Sequence, residues 1–165
     1  MAFITGAGAG DPSIHYRNPL RAAFAGQPIS CPDPSVSSDR HGPWRYVLVC
    51  TSDNLRNAFP IWRSKDLVRW QPDGHVFPRG KQPWWAVPAS GRGQQGLYWG
   101  PEIYHLNGRW MIVFAAQYDP GSNAISFPAG QEPAPGTMMI GVATARSLSG
   151  PWSSRIVHYL SLIHI

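Results

Sequence analysis

Acidic side chains are scarce in this sequence: nine Asp and Glu stand against 14 Lys and Arg in 165 residues, leaving a net charge of +5. The basic residues are scattered and form no Lys/Arg run, so the charge lacks the clustered footprint of a nucleic-acid-binding surface. The surplus reflects missing acids rather than abundant bases. No apolar run approaches the roughly 18 residues of a membrane-spanning helix, and helical periodicity is weak throughout. The first residues lack the basic start and long apolar core of a secretory leader. Two cysteines, Cys31 and Cys50, are too few to define a disulfide scaffold or a zinc site. They fit either a reduced buried pair or, if their flanking segments form a hairpin, two neighbours.

Several catalytic signatures are missing too. Gly6-Ala-Gly-Ala-Gly-Asp11 lacks the Gly-x-Gly-x-x-Gly spacing, and no helical pattern follows it, which excludes a dinucleotide loop. His15, His41, His75, His105, His158 and His164 show no metal-ligand spacing. There is no Gly-x-Ser-x-Gly nucleophile elbow. These residues call for neither a cofactor nor a metal.

What the chain does have is 17 Gly, 17 Pro and eight Trp, with 43% hydrophobic and 14% charged residues. That composition describes one ordered domain of short strands joined by many turns. Internal similarity sharpens the picture. Asp33-Pro-Ser-Val, a turn at Asp39-Arg-His-Gly-Pro and the strand-like Arg45–Ser52 are echoed by Glu102-Ile-Tyr-His, Leu-Asn-Gly and Arg109–Ala116. Each unit reads as a hairpin. Ala58–Trp70 then matches Met139–Trp152: a strand, Arg-Ser, a turn containing Leu, and a Trp. The expected fold class is all-β, a partial β-propeller of about two four-stranded antiparallel blades. The blades are expected near residues 28–90 and 97–153, with poorly defined ends at 1–20 and 154–165. Two blades cannot close a ring, so the chain reads as the N-terminal piece of a larger protein.

The few carboxylates can be sorted individually. Asp39, Asp53 and Asp73 stand in turn-like contexts, and Asp66 in a short helical turn between outer strands. Asp119 and Glu132 fall in Pro/Gly-rich loops, and Asp11 in a loose N-terminus. Asp33 and Glu102 differ, because each follows a proline and opens the first strand of its blade. Pro32 and Pro34 restrict Asp33 and push it toward extended geometry. Two readings stand for both acids. They accept backbone amides at strand starts, or they converge on the propeller axis, where paired carboxylates suit glycoside hydrolysis. Aromatic planes fit a sugar pocket. Trp99 is the leading candidate; Phe59, Trp62, Trp84 and Trp85 are expected in connections between strands, and Phe59 and Trp62 are assigned with Trp99 and Glu102 to substrate contact. Trp70 and Trp152, at matching repeat positions, are expected to fill gaps between blades.

Taken in order, Cys-Pro-Asp33-Pro-Ser-Val, Tyr46–Ser52, Phe59–Trp70, Trp99-Gly-Pro-Glu102 and Gly-Arg-Trp-Met-Ile-Val-Phe114 resemble glycoside hydrolase family 43 from about Asn18 to Trp152. The resemblance implies a five-bladed propeller that hydrolyses arabinosyl and xylosyl linkages of plant cell-wall polysaccharide with inversion. It implies that Asp33 is the general base, that Trp99 walls the sugar pocket, and that Glu102 stands near the pocket without donating the proton. Gly100 replaces the Ala usual in the family's Trp-Ala-Pro-Asp/Glu motif. The family's general acid and the Asp that tunes it come from later blades and have no counterpart here. The expected partners are arabinan, arabinoxylan or xylan oligosaccharides and the remaining blades, with a carbohydrate-binding, non-catalytic propeller as the alternative.

Overall fold

In the computed structural model, the described residues are 21–22, 30–39, 42–51, 57–86, 98–119, 133–134 and 136–158. Asp11, Asp53, Glu132, His15, His41 and His164 lie outside them. The described residues contain strands and no helix. They are β1 (Arg21–Ala22), β2 (Ser35–Ser38), β3 (Tyr46–Val49), β4 (Ala58–Ser64), β5 (Arg69–Phe77), β6 (Tyr98–Leu106), β7 (Arg109–Gln117), β8 (Met138–Ala145) and β9 (Ser153–His158). Strands β2 to β5 form one antiparallel sheet, with β1 added parallel to β5, and β6 to β9 form a second antiparallel sheet. These are the two blades expected from the repeat. The last strand of the second runs past 153 to His158.

Alternation builds the sheets. Along β7 the residues Trp110, Ile112, Phe114 and Ala116 are buried while their neighbours are partly or fully exposed, as a pleated strand with one packed face requires. In β8 the buried set is Met139, Gly141, Ala143 and Ala145. The β6–β7 hairpin closes through Asn107 and Gly108, whose φ values of 49° and 71° match the left-handed pair that an Asn-Gly turn supplies.

The repeat is equally visible in the turns. Ser64 Oγ accepts the N–H groups of Asp66 and Leu67, and Trp70 donates its indole N–H to the Leu67 carbonyl. Likewise Ser147 Oγ accepts from Ser149 N–H, and Trp152 donates to the Leu148 carbonyl. Asp66 stands in a tight bend rather than a helical turn. Its carboxylate accepts the N–H groups of Val68 and Arg69 and pairs with the Arg69 guanidinium. Those bonds, led by the Arg69 amide, hold its carboxyl well below the usual range.

The main core lies between the blades. Val47, Val49, Phe59, Ile61 and Phe77 of the first meet Tyr98, Ile103, Ile112, Phe114 and Met139 of the second. Trp85 closes one side of this core, its ring stacked on Phe114 at 5.8 Å and 16°. Gly141 makes room for it, since a Cβ there would lie 2.7 Å from Phe114. A smaller cluster (Leu48, Cys50 and Trp70, with Cys31, Tyr46 and Trp62 packed on it) covers the opposite face of the first blade. Trp70 therefore packs within one blade, whereas Trp152 does lie against the core between the two.

Candidate functional site

The innermost strands β2 and β6 lie side by side. Two hydroxyls of the first blade, one on β2 and one just after β3, tie it to β6. Ser35 Oγ accepts the Ile103 N–H at 3.0 Å, and Thr51 Oγ1 accepts the Gly100 N–H at 3.0 Å. Each hydroxyl takes a β6 amide, so the blades are stitched by side chains at this edge.

Asp33 stands at one end of that seam, just before β2, with its side chain exposed. Its backbone is not extended: φ is 48°. This corrects the expectation drawn from the flanking prolines. Asp is among the few non-glycine residues that adopt the left-handed region, and such positions persist only where surrounding contacts over-determine them. Here three contacts do so. Cys31 and Cys50 form a disulfide with Cα atoms 5.0 Å apart. Thr51 N–H donates to the Pro32 carbonyl at 2.8 Å. Thr51 Oγ1–H donates to Asp33 Oδ2 at 2.7 Å. The turn at 31–33 is thus clipped onto the end of β3.

Trp99 reaches the same place from the second blade. It pairs with Ala115, immediately before Gly100, and the register between Trp99 and Glu102 is irregular. Gly100 has φ 54°, a left-handed value that suits glycine. Trp99 remains 46% exposed, an unusual state for an indole and one available to a ligand. Through Thr51, two hydrogen bonds connect the Asp33 carboxylate to the residue that follows Trp99.

Glu102 lies within β6, opposite Val113, rather than at its start. It shares the exposed face with Tyr104, which donates its phenolic O–H to Glu102 Oε2. That bond to the carboxylate raises the Tyr104 pKa. Glu102 is therefore an engaged acceptor facing solvent.

The other expected pocket residues are placed elsewhere. Phe59 is fully buried, with its ring 5.4 Å from Phe114 and 6.0 Å from Phe77. Its φ of 57° interrupts the alternation of β4, so Ala58 and Phe59 both turn inward. Phe59 is a packing residue, which corrects its assignment to sugar contact. Phe59 and Trp62 both belong to β4 rather than to a connection. Trp62 is half-buried in the Leu48–Trp70 cluster, on the face of the first blade turned away from the second. Trp85 is fully buried, and Trp84 is 48% exposed.

Asp39 accepts the Gly42 N–H, as a turn acid does, and lies 3.8 Å from His105. His105 in turn stacks on Trp110. Asp73 pairs with Arg63 across β4 and β5. Among the described residues no group of three His, Cys, Asp or Glu is arranged to hold a metal ion. Thr51 was not legible as a site residue. Nothing in Val-Cys-Thr-Ser marks it, and only the return of β3 past Asp33 gives it a role.

The sequence profile of Glycosyl hydrolases family 43 matches residues 16–163. The chain belongs to that family. It is similar to the non-reducing end alpha-L-arabinofuranosidase BoGH43B of Bacteroides ovatus, 25% identical over 142 residues. That match covers 86% of this chain and 22% of the relative. A xylosidase/arabinosidase of Butyrivibrio fibrisolvens is 29% identical over 122 residues, covering 74% of this chain and 19% of the relative. The crystal structure of the family 43 protein BlXynB from Bacillus licheniformis superposes with a TM-score of 0.62 at 24% identity, over 88% of this chain and 25% of that one. The fold is thus that of the family's propeller. The chain spans about a fifth of the length of the curated relatives it matches.

Proposed function

We propose that this chain supplies two blades of an inverting glycoside hydrolase acting on arabinosyl or xylosyl linkages of plant cell-wall polysaccharide. Asp33 is its general base. The observation that carries this reading is the seam itself: an exposed carboxylate, clipped in position, beside an exposed Trp on the neighbouring blade. Trp99 would offer its face to the C–H groups of the terminal sugar. Glu102, paired with Tyr104, would face the same pocket as a hydrogen-bond acceptor. One curated relative is named an alpha-L-arabinofuranosidase and the other a xylosidase/arabinosidase.

In the proposed reaction Asp33 takes a proton from water while the water oxygen bonds to the anomeric carbon. The glycosidic C–O bond breaks on the opposite face, and its electron pair goes to the leaving oxygen. That oxygen takes a proton from an acid on a blade outside this chain, set roughly 6.5–9.5 Å from the base to admit the water. One surface supports a further blade: the outer face of the second blade leaves Met111, Val113, Ile140 and Val142 only half-buried, whereas Leu48, Cys50 and Trp70 on the far side of the first blade are already covered.

The test is Asp33→Asn in the complete enzyme, assayed on 4-nitrophenyl arabinofuranoside and 4-nitrophenyl xyloside. Turnover is expected to fall by at least the roughly 10²–10⁴-fold that general-base catalysis supplies, with an unchanged circular dichroism spectrum. Near-normal turnover would remove Asp33 from the base role. The ratio of the two activities in the parent decides between the pentosides.

A further inference from the structure

The geometry points to Thr51 as the positioning residue of this site: its hydroxyl orients the Asp33 carboxylate and holds it in register with the Trp99 wall. This inference rests on the proposed role of Asp33 as base.

The hydroxyl of Thr51 carries one hydrogen and two lone pairs. Its neighbours decide how they are used. Gly100 offers a backbone N–H, which can only donate, so Thr51 Oγ1 must accept there at 3.0 Å. The single hydroxyl hydrogen is then directed to Asp33 Oδ2, at 2.7 Å. The two bonds have one consistent polarity, from the Gly100 amide through Thr51 to an ionised carboxylate. Oδ2 is thereby occupied. With Asp33 exposed, Oδ1 is the oxygen left to face water.

The hydroxyl itself has little freedom. The Thr51 N–H is bonded to the Pro32 carbonyl, and the preceding residue is covalently joined to Cys31. Backbone and side chain of one residue therefore clamp the positions just before and at Asp33, while the same oxygen reaches the second blade. Thr51 fixes two relations at once. It sets which carboxylate oxygen points outward, and it sets the separation between that oxygen and the strand that carries Trp99. Reactions of this kind are sensitive to placement, and a shift of about 1 Å can cost on the order of 100-fold in rate.

Ser35 provides an internal control. It makes the same kind of tie, hydroxyl to β6 amide, yet touches no carboxylate. If Thr51 acted only by holding the blades together, removing either hydroxyl would have similar consequences.

In the complete enzyme, Thr51→Val is expected to lower kcat about 10- to 100-fold with KM changed by no more than about threefold. Thr51→Ser, which keeps the hydroxyl, should stay within about threefold of the parent in both. Ser35→Ala should lower the melting temperature with kcat within about twofold. Thr51→Ala carries the same expectation as Thr51→Val and replaces it if the valine variant fails to fold. Thr51→Val or Thr51→Ala with parental kcat, while Asp33→Asn is inactive, overturns the positioning role and leaves the base intact. Equal kcat losses for Thr51→Val and Ser35→Ala reduce Thr51 to a structural tie and overturn it as well. Near-normal turnover by Asp33→Asn overturns both readings together.

Discussion

The two blades share a plan and differ in how they hold their inner edge. In the first, the hairpin β2–β3 has only four residues per strand. In the second, β6 and β7 have nine each and close through an Asn-Gly turn. A short ladder offers few backbone bonds to resist fraying. The first blade compensates with cross-links: the Cys31–Cys50 disulfide and the bonds of Thr51 to Pro32 and Asp33. The second has a longer ladder instead, with β7 paired on both sides along most of its length. The difference has a functional side. The Asp33 carboxylate sits on a clipped turn outside the ladder, whereas Trp99 sits within a nine-residue strand. One blade presents an exposed acid on a clipped, left-handed turn, and the other presents an exposed indole.

That contrast can be broken or sharpened by substitution in the complete enzyme. The largest effect should come from the core both blades share: Phe114→Ala is expected to cost about 3–5 kcal/mol in urea unfolding, because its ring meets Phe59, Phe77, Tyr98 and Trp85. If Val113→Ala, on the half-buried outer face, costs as much, the inter-blade core is not the centre of stability. Next comes the clip. Replacing Cys31 and Cys50 by Ser should cost about 3 kcal/mol, as expected for a loop of this length, given their separation of 19 residues. An unchanged unfolding midpoint would show that the short hairpin stands without its staple.

Gly141→Ala tests the second blade from inside. The added methyl meets the Trp85 and Phe114 rings, and over-packing of this kind costs about 1–3 kcal/mol. A neutral result would mean that Trp85 can move aside. The smallest effect concerns Asp66 and the outer turn of the first blade. Its folded-state carboxyl lies below the unfolded value of 3.8, so the native state binds fewer protons. Its contribution is present above about pH 4 and is lost as the pH falls through the folded value. Stability of the parent should therefore drop more steeply below about pH 4 than that of Asp66→Asn. Parallel pH profiles would exclude the turn as a source of acid sensitivity.

Much of the fold was readable because its signals are local. The alternation in Arg109–Gln117, the Asn107-Gly108 turn and the repeated Arg-Ser…Leu…Trp segments each act within a few residues, and each appears where the pattern places it. The expectations that failed depended on context. Phe59 looked available to a sugar until the irregular stretch of β4 turned it into the core. Glu102 looked like the start of a strand because Pro101 precedes it, yet β6 already begins at Tyr98.

By itself, then, the sequence determined the strand order, the hairpins, the repeat and the family, because periodicity and turn chemistry operate over short stretches. Only the tertiary structure decided the contacts around Asp33. The Asp33–Thr51 bond joins residues 18 apart and the Thr51–Gly100 bond joins residues 49 apart. The disulfide and the left-handed backbone of Asp33 belong to the same meeting of distant segments. No local preference encodes such contacts. They exist because the packing of one blade on the next brings those atoms within bonding distance, and the strain at Asp33 is tolerated because that packing holds it.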